Sequence, residues 1–106
     1  MIVHEPDTMK AINPVPDYHA RIAHGTDCTL AFWTVASGAV LPEHQHPHEQ
    51  VLLVQEGRFE ITVDGETRRL EPGQLVTIPG DVPHGGRALT DCRLLDVFRP
   101  RRADWD

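Results

Sequence analysis

Apolar and polar residues alternate along much of this chain with a period of two, in short runs separated by glycine- and proline-bearing turns. The clearest run is Arg58–Val63, where Phe59, Ile61 and Val63 alternate with Arg58, Glu60 and Thr62. That pattern predicts a strand with one wet face. Asp64-Gly65 follows, a strong signal for a tight hairpin, and Glu66–Leu70 is its returning strand. Cys28–Ala36 is rich in β-branched and aromatic residues and ends at Ser37-Gly38. Gln50–Gln55 is apolar and closes at Glu56-Gly57, while Leu75–Ile78 lies between Pro72-Gly73 and Pro79-Gly80-Asp81. Cys92–Phe98 runs as a last strand towards Pro100, and Ala103–Asp106 suits a turn of helix. No segment carries a sustained helical period, so the expected class is all-β, a sandwich or barrel. The first part of the chain, to Pro16, has three prolines and no periodicity. Residues 1–17 are therefore expected to form an irregular arm or edge segment, and residues 18–106 the barrel domain.

A length of 106 residues sets one domain with a core of useful size. The net charge of −6 leaves no basic stripe to neutralise phosphates, which argues against a nucleic-acid partner. Arg99, Arg101 and Arg102 form the one dense positive cluster, enough to hold a small carboxylate and otherwise ordinary surface charge. Cys28 and Cys92 lie in apolar runs and are expected to be two reduced, buried thiols. The opening residues MIVHEPDTMK lack the basic start and apolar run of a secretory leader, and no stretch has the length of a membrane span. The expectation is a soluble, cytoplasmic protein.

The chemistry is concentrated between Gly38 and Gly57. His44, His46 and His48 alternate there, and Gln50 follows in the same parity. In an extended segment these side chains would share one face. Neutral imidazole suits nickel, zinc, manganese, iron or copper better than calcium or magnesium. His48 follows Pro47, which resets the strand locally, so it is expected to be a hydrogen-bond donor behind the ligands, a substrate contact or a rim residue rather than a ligand. His4, His19 and His24 show no ligand spacing, and Glu49 would face outward. Asp96 and Phe98 share one face of the last strand, alternating with Leu95 and Val97. An aspartate between apolar neighbours is costly unless paired or functional, and Arg87, Arg93 or Arg102 would each neutralise it.

A second cluster, Gly73-QLVTI-Pro79-GDVP-His84, lies one hairpin beyond the first. Together the two resemble the paired motifs of the cupin family, matching at Gly38, His44, His46, Gly57, Gly73, Pro79 and His84. Gln50 stands where that family usually has glutamate, Asp81 where it has glycine, and Ala88 where it has asparagine. HQHPHEQ at His44–Gln50 and LLDVFRPRRADW at Leu94–Trp105 are further similar to the small single-domain cupins of pectin degradation, the KdgF type. The resemblance implies a cupin β-barrel (a double-stranded β-helix, or jelly roll). It also implies one divalent transition metal on His44, His46, Gln50 and His84, and pairing into a homodimer.

The implied activity is opening or isomerisation of a small carboxylated sugar such as a 4,5-unsaturated uronate. In it Asp96 would move a proton, Phe98 would pack the sugar ring, and Arg102 would clamp the carboxylate of the anionic substrate. Gln50 leaves the full divalent charge uncancelled, which favours Lewis-acid over oxygen chemistry. An iron-dependent cupin dioxygenase and a non-catalytic sugar-acid binding or sensing cupin are the alternatives.

Overall fold

The computed structural model describes residues 1–106, folded as ten strands in two antiparallel sheets with a short 3-10 turn near each end. In chain order the strands are β1 (Lys10–Val15), β2 (Tyr18–His24), β3 (Thr29–Val35), β4 (Val40–His44) and β5 (Glu49–Glu56). Then come β6 (Phe59–Val63), β7 (Glu66–Leu70), β8 (Leu75–Ile78), β9 (His84–Ala88) and β10 (Cys92–Arg99). One sheet runs β1-β2-β3-β10-β5-β8 and the other β4-β9-β6-β7. The two face each other as a jelly-roll barrel, and their inner faces supply a single core that includes Tyr18, Trp33, Leu52, Val54, Phe59, Ile61, Ile78 and Leu94.

Alternation sets this packing. In β3, β5 and β10 every second residue is buried, so Ala31 and Trp33, Leu52 and Val54, and Leu94, Asp96 and Phe98 all point between the sheets. The Asp64-Gly65 hairpin forms as its sequence predicts: both residues have positive φ, 48° and 81°, and Val63 pairs with Glu66. In the larger sheet, Lys10–Val15 is an edge strand. Its Pro14 sits at a register shift, where a missing N–H removes no ladder bond. Asn13 Nδ2 bridges the shift by donating to the carbonyls of Val15 (2.9 Å) and Tyr18 (2.6 Å).

Two expectations are corrected. Cys92 is buried, but Cys28 is only half-buried; both are free thiols. His44, His46, His48 and Gln50 do not lie on one continuous strand, because β4 ends at His44 and β5 begins at Glu49. Residues 45–48 cross from one sheet to the other.

Candidate functional site

The crossing places chemistry between the sheets at one end of the barrel. His44, the last residue of β4, pairs in register with His84, the first of β9. Directly paired residues project to the same side of a sheet, and the two imidazole centroids lie 4.4 Å apart. Gln50 enters from the opposite sheet, beside Phe98 on β10. His46 fills the gap from the connecting loop, with its ring 4.9 Å from that of His84 and 5.7 Å from that of Phe98. One nitrogen from each of His44, His46 and His84 lies within 4.8 Å of the others. His48 falls outside this cluster; its backbone carbonyl lies 3.1 Å from Nδ1 of His46.

The loop holding His46 is fixed by the turn of the second motif. Asp81 N–H donates to the His46 carbonyl at 2.7 Å, and Gly80 packs so tightly that a Cβ there would collide with the Pro47 carbonyl oxygen. Asp81 itself has φ of +62°, which explains why glycine suits that position and why aspartate can replace it. Gly80→Ala is expected to push this loop outward. Its cost should be about 1–3 kcal/mol, read from thermal unfolding of the metal-free protein beside a Gly38→Ala control. Gly38 has nothing within 4 Å of its missing Cβ but has a positive φ of 84°, so the control reports backbone strain without a clash.

Hydrogen bonding then fixes the protons. The Nδ1 atoms of His44, His46 and His84 each lie 2.9–3.1 Å from the backbone carbonyls of Pro42, His48 and Val82. A carbonyl can only accept, so Nδ1 of His44 and of His84 carries a hydrogen; His46 has a carbonyl oxygen at 3.1 Å from each ring nitrogen, His48 at Nδ1 and Gln50 at Nε2, and its hydrogen fits either. The rings of His46 and His84 are held neutral: burial is the main cause, and the nearby Arg102 charge adds to it, so that His46 falls to about 4. His84 Nε2 is buried without any partner.

Gln50 makes the arrangement more telling. It is 4% exposed, and its Nε2 donates to Asp96 Oδ1 at 2.9 Å, which turns its Oε1 towards His46 Nε2 at 3.1 Å. With the His46 hydrogen on Nδ1, where the His48 carbonyl accepts it, two lone-pair acceptors face each other here. Ligand atoms about 2.1 Å from a shared first-row cation stand roughly 3.0–3.4 Å apart, so a cation relieves a contact that is otherwise repulsive. With an orphaned imidazole nitrogen beside it, the donor set fits a divalent transition metal. The carbonyl bonds to Nδ1 are the kind that orient such ligands.

Asp96 is the second element. It is 5% exposed and accepts from Gln50 Nε2 at Oδ1 and from Trp33 Nε1 at Oδ2, each at 2.9 Å. Burial outweighs these bonds and the Arg102 charge, and lifts its carboxyl to about 7. None of the three expected arginines bonds to it. Arg87 reaches towards Glu60, Arg93 is exposed, and Arg102 is engaged by Asp104. The carboxylate is satisfied instead by neutral donors on the two neighbouring strands.

Arg102 stacks 3.9 Å over the Trp105 ring and 4.7 Å from the Phe98 centroid. Asp104 takes its Nε and Nη2 hydrogens at 3.0 and 2.9 Å. A guanidinium has five N–H groups in a plane, so the Nη1–Nη2 edge is still available for a second carboxylate. His44, His46, Gln50, Asp96, Phe98 and Arg102 all line one cavity of about 320 Å³, with Trp33 and Trp105 as further aromatic walls. A larger groove of about 480 Å³, lined by Ile61, Val63, Leu70 and Leu75, contains no histidine, so volume alone would not select the histidine-bearing cavity. Sequence reasoning missed Trp33 and Trp105. Trp33 shares the inward parity of β3, but only the order β3-β10-β5 reveals that it faces Asp96.

Comparison with known proteins agrees with this architecture. The model of the cupin domain matches residues 31–98. The pectin degradation protein KdgF of Dickeya dadantii (strain 3937) is 36% identical over 72 residues, a stretch covering 66% of this chain and 66% of that protein. The structure of KdgF from a Halomonas species superimposes with a TM-score of 0.84 at 36% identity, covering 92% of each chain. An RmlC-like cupin from Shewanella frigidimarina gives 0.89 at 26% identity, over 97% of this chain and 94% of that one. Two facing sheets, a histidine cluster at one end and a family match over most of the barrel lead to one conclusion: the chain belongs to the cupin family.

Proposed function

We propose that this protein is a metal-dependent, non-redox enzyme that opens or isomerises a small carboxylated sugar such as a 4,5-unsaturated uronate. The observation that carries the proposal is a buried carboxyl hydrogen-bonded to Gln50 beside the histidine cluster and sharing its cavity with an arginine edge. The likeness to proteins named for pectin degradation supports the substrate class. His44, His46, Gln50 and His84 would hold the ion (nickel, zinc, manganese, iron or copper), whose positive charge favours an oxygen that turns negative during the reaction.

The protein's own groups account for the remaining steps. Arg102 takes the substrate carboxylate on its Nη1–Nη2 edge, and Phe98 and Trp105 pack the sugar ring. Asp96 removes the proton from the anomeric hydroxyl. The ring C–O bond breaks, a carbonyl forms at the anomeric carbon, and the electron pair passes to the ring oxygen as an enolate. Asp96 then returns its proton to the adjacent alkene carbon, giving the linear ketone with atoms and charge balanced. Burial raises the pKa of this carboxyl, which suits it to donate a proton as well as to accept one. The neutral Gln50 departs from the two-histidine, one-carboxylate set of iron oxygenases and supports the non-redox reading. A homodimer is part of the proposal, with the exposed Leu75 on the β8 edge as an apolar residue that pairing would cover.

The test is ultraviolet absorbance of a lyase-generated unsaturated uronate. Loss of the conjugated-alkene band should scale with enzyme concentration, stop on chelation and resume on adding metal. Oxygen uptake with a phenolic substrate, and no effect on the uronate, would overturn the reading.

A further inference from the structure

The amide of Gln50 faces a choice that His46 alone does not decide. Turned the other way, its Nε2 would donate to Nε2 of His46 in the tautomer whose Nδ1–H goes to the His48 carbonyl, and the amide oxygen would leave the histidine cluster. The observed orientation forgoes that bond and directs the oxygen at the imidazole. What holds it is Asp96, whose Oδ1 accepts the amide hydrogen. Asp96 is in turn held by the Trp33 indole N–H on its other oxygen.

The register shows why these three groups meet. Leu94 on β10 pairs with Trp33 on β3, and Asp96 lies two residues further along. Phe98 pairs with Gln50 on β5, two residues beyond Asp96. Trp33, Asp96 and Gln50 are therefore diagonal neighbours across three adjacent strands, on the inward face of the sheet. The indole is rigid as well: it is 7% exposed and packs edge-on against Tyr18 at 5.9 Å and Trp105 at 6.2 Å. A phenylalanine here would fill much of the same volume but donate nothing.

We propose that Trp33 is a positioning residue for the metal centre: its indole N–H fixes the Asp96 carboxylate, which locks the Gln50 amide with its oxygen on the histidine cluster. This rests on the reading of His44, His46, Gln50 and His84 as metal ligands. Trp33 itself touches neither the ion nor the reacting atoms.

The experiment compares cobalt(II) binding by the wild type, Trp33→Phe, Asp96→Leu and the double variant, with the visible d–d bands as a report on the ligand set. Trp33→Phe should weaken binding about tenfold, as loss of an outer hydrogen bond typically does, and should alter the bands as the amide oxygen is lost. In the Asp96→Leu background the same substitution should cost nothing further. Additive losses in the cycle, or unaltered bands and affinity in Trp33→Phe, would overturn the positioning role while leaving the metal centre intact. A wild type that binds no cobalt would overturn the metal centre and the positioning role together. Should Trp33→Phe fail to fold, the wild type answers by NMR. The Trp33 indole N–H resonance, assigned with Trp105→Phe, should move on adding zinc, and an unmoved resonance would overturn the proposal.

Discussion

Replacing Asp96 with asparagine is expected to lower uronate turnover by about 10²–10⁴ at neutral pH, the usual worth of a positioned acid–base group. The amide has nearly the same shape but can neither take the anomeric proton nor return it. Metal should remain bound, because the three imidazoles and their carbonyl anchors are untouched. Steady-state kinetics beside metal analysis separates the two, and a variant of unchanged rate would remove Asp96 from the chemistry. The same substitution has a signature in stability. Asp96 is raised from its ordinary 3.8 to about 7 in the metal-free fold. Between those values the folded state therefore holds a proton that the unfolded chain releases, and stability falls as pH rises. The stability of Asp96→Asn relative to wild type should accordingly grow from about pH 4 to pH 7 and then level off, as seen in urea midpoints of the two proteins.

Gln50→Glu should be nearly as damaging, although it restores the residue usual in the family. It places a second carboxylate against Asp96, where the amide now donates at 2.9 Å. Two carboxylates at that distance cannot both ionise, so they share a proton. Asp96 is then no longer free to move one, and turnover should drop by about 10² or more. Adding Asp96→Asn to Gln50→Glu tests the explanation. The introduced asparagine would donate to the introduced glutamate and accept from Trp33, so every polar atom is again paired, and a carboxylate ligand faces the ion. This double variant should unfold at a temperature close to wild type and bind metal at least as tightly, yet remain inactive on the uronate. A double variant no more stable than Gln50→Glu alone would refute the pairing.

Strands whose alternation survives in the sequence were legible from it. Phe59–Val63, Leu75–Ile78 and Cys92–Arg99 lie within a residue or so of expectation. The strand His84–Ala88 was not, since HGGRA has none of the residues that favour strands. Its glycines answer to neighbours rather than to propensity: a Cβ on Gly85 would stand 2.9 Å from the Leu41 oxygen, and one on Gly86 would stand 2.5 Å from the Phe59 ring. The histidines were visible as a group because motif spacing is local information. How they meet was not, because His46 reaches the cluster through a loop between sheets and His84 through pairing with β4. For Asp96, charge arithmetic pointed to arginine. The partners are an indole and an amide, each more than forty residues away in sequence and brought near only by strand order.

Arg102 and Trp105 belong to no strand. They hang from the 3-10 turn Ala103–Trp105, moored where Thr29 Oγ1 accepts the Arg102 N–H and Lys10 Nζ donates to the carbonyls of Trp105 and Asp106. His44, Gln50 and His84, three of the four proposed ligands, are set in strands of the barrel, whereas Arg102 and Trp105, proposed to receive the substrate, are tethered outside it by a few polar knots. On the proposed function, changes confined to these tail residues would alter the substrate's side of the cavity and leave the strands bearing His44, Gln50 and His84 in place.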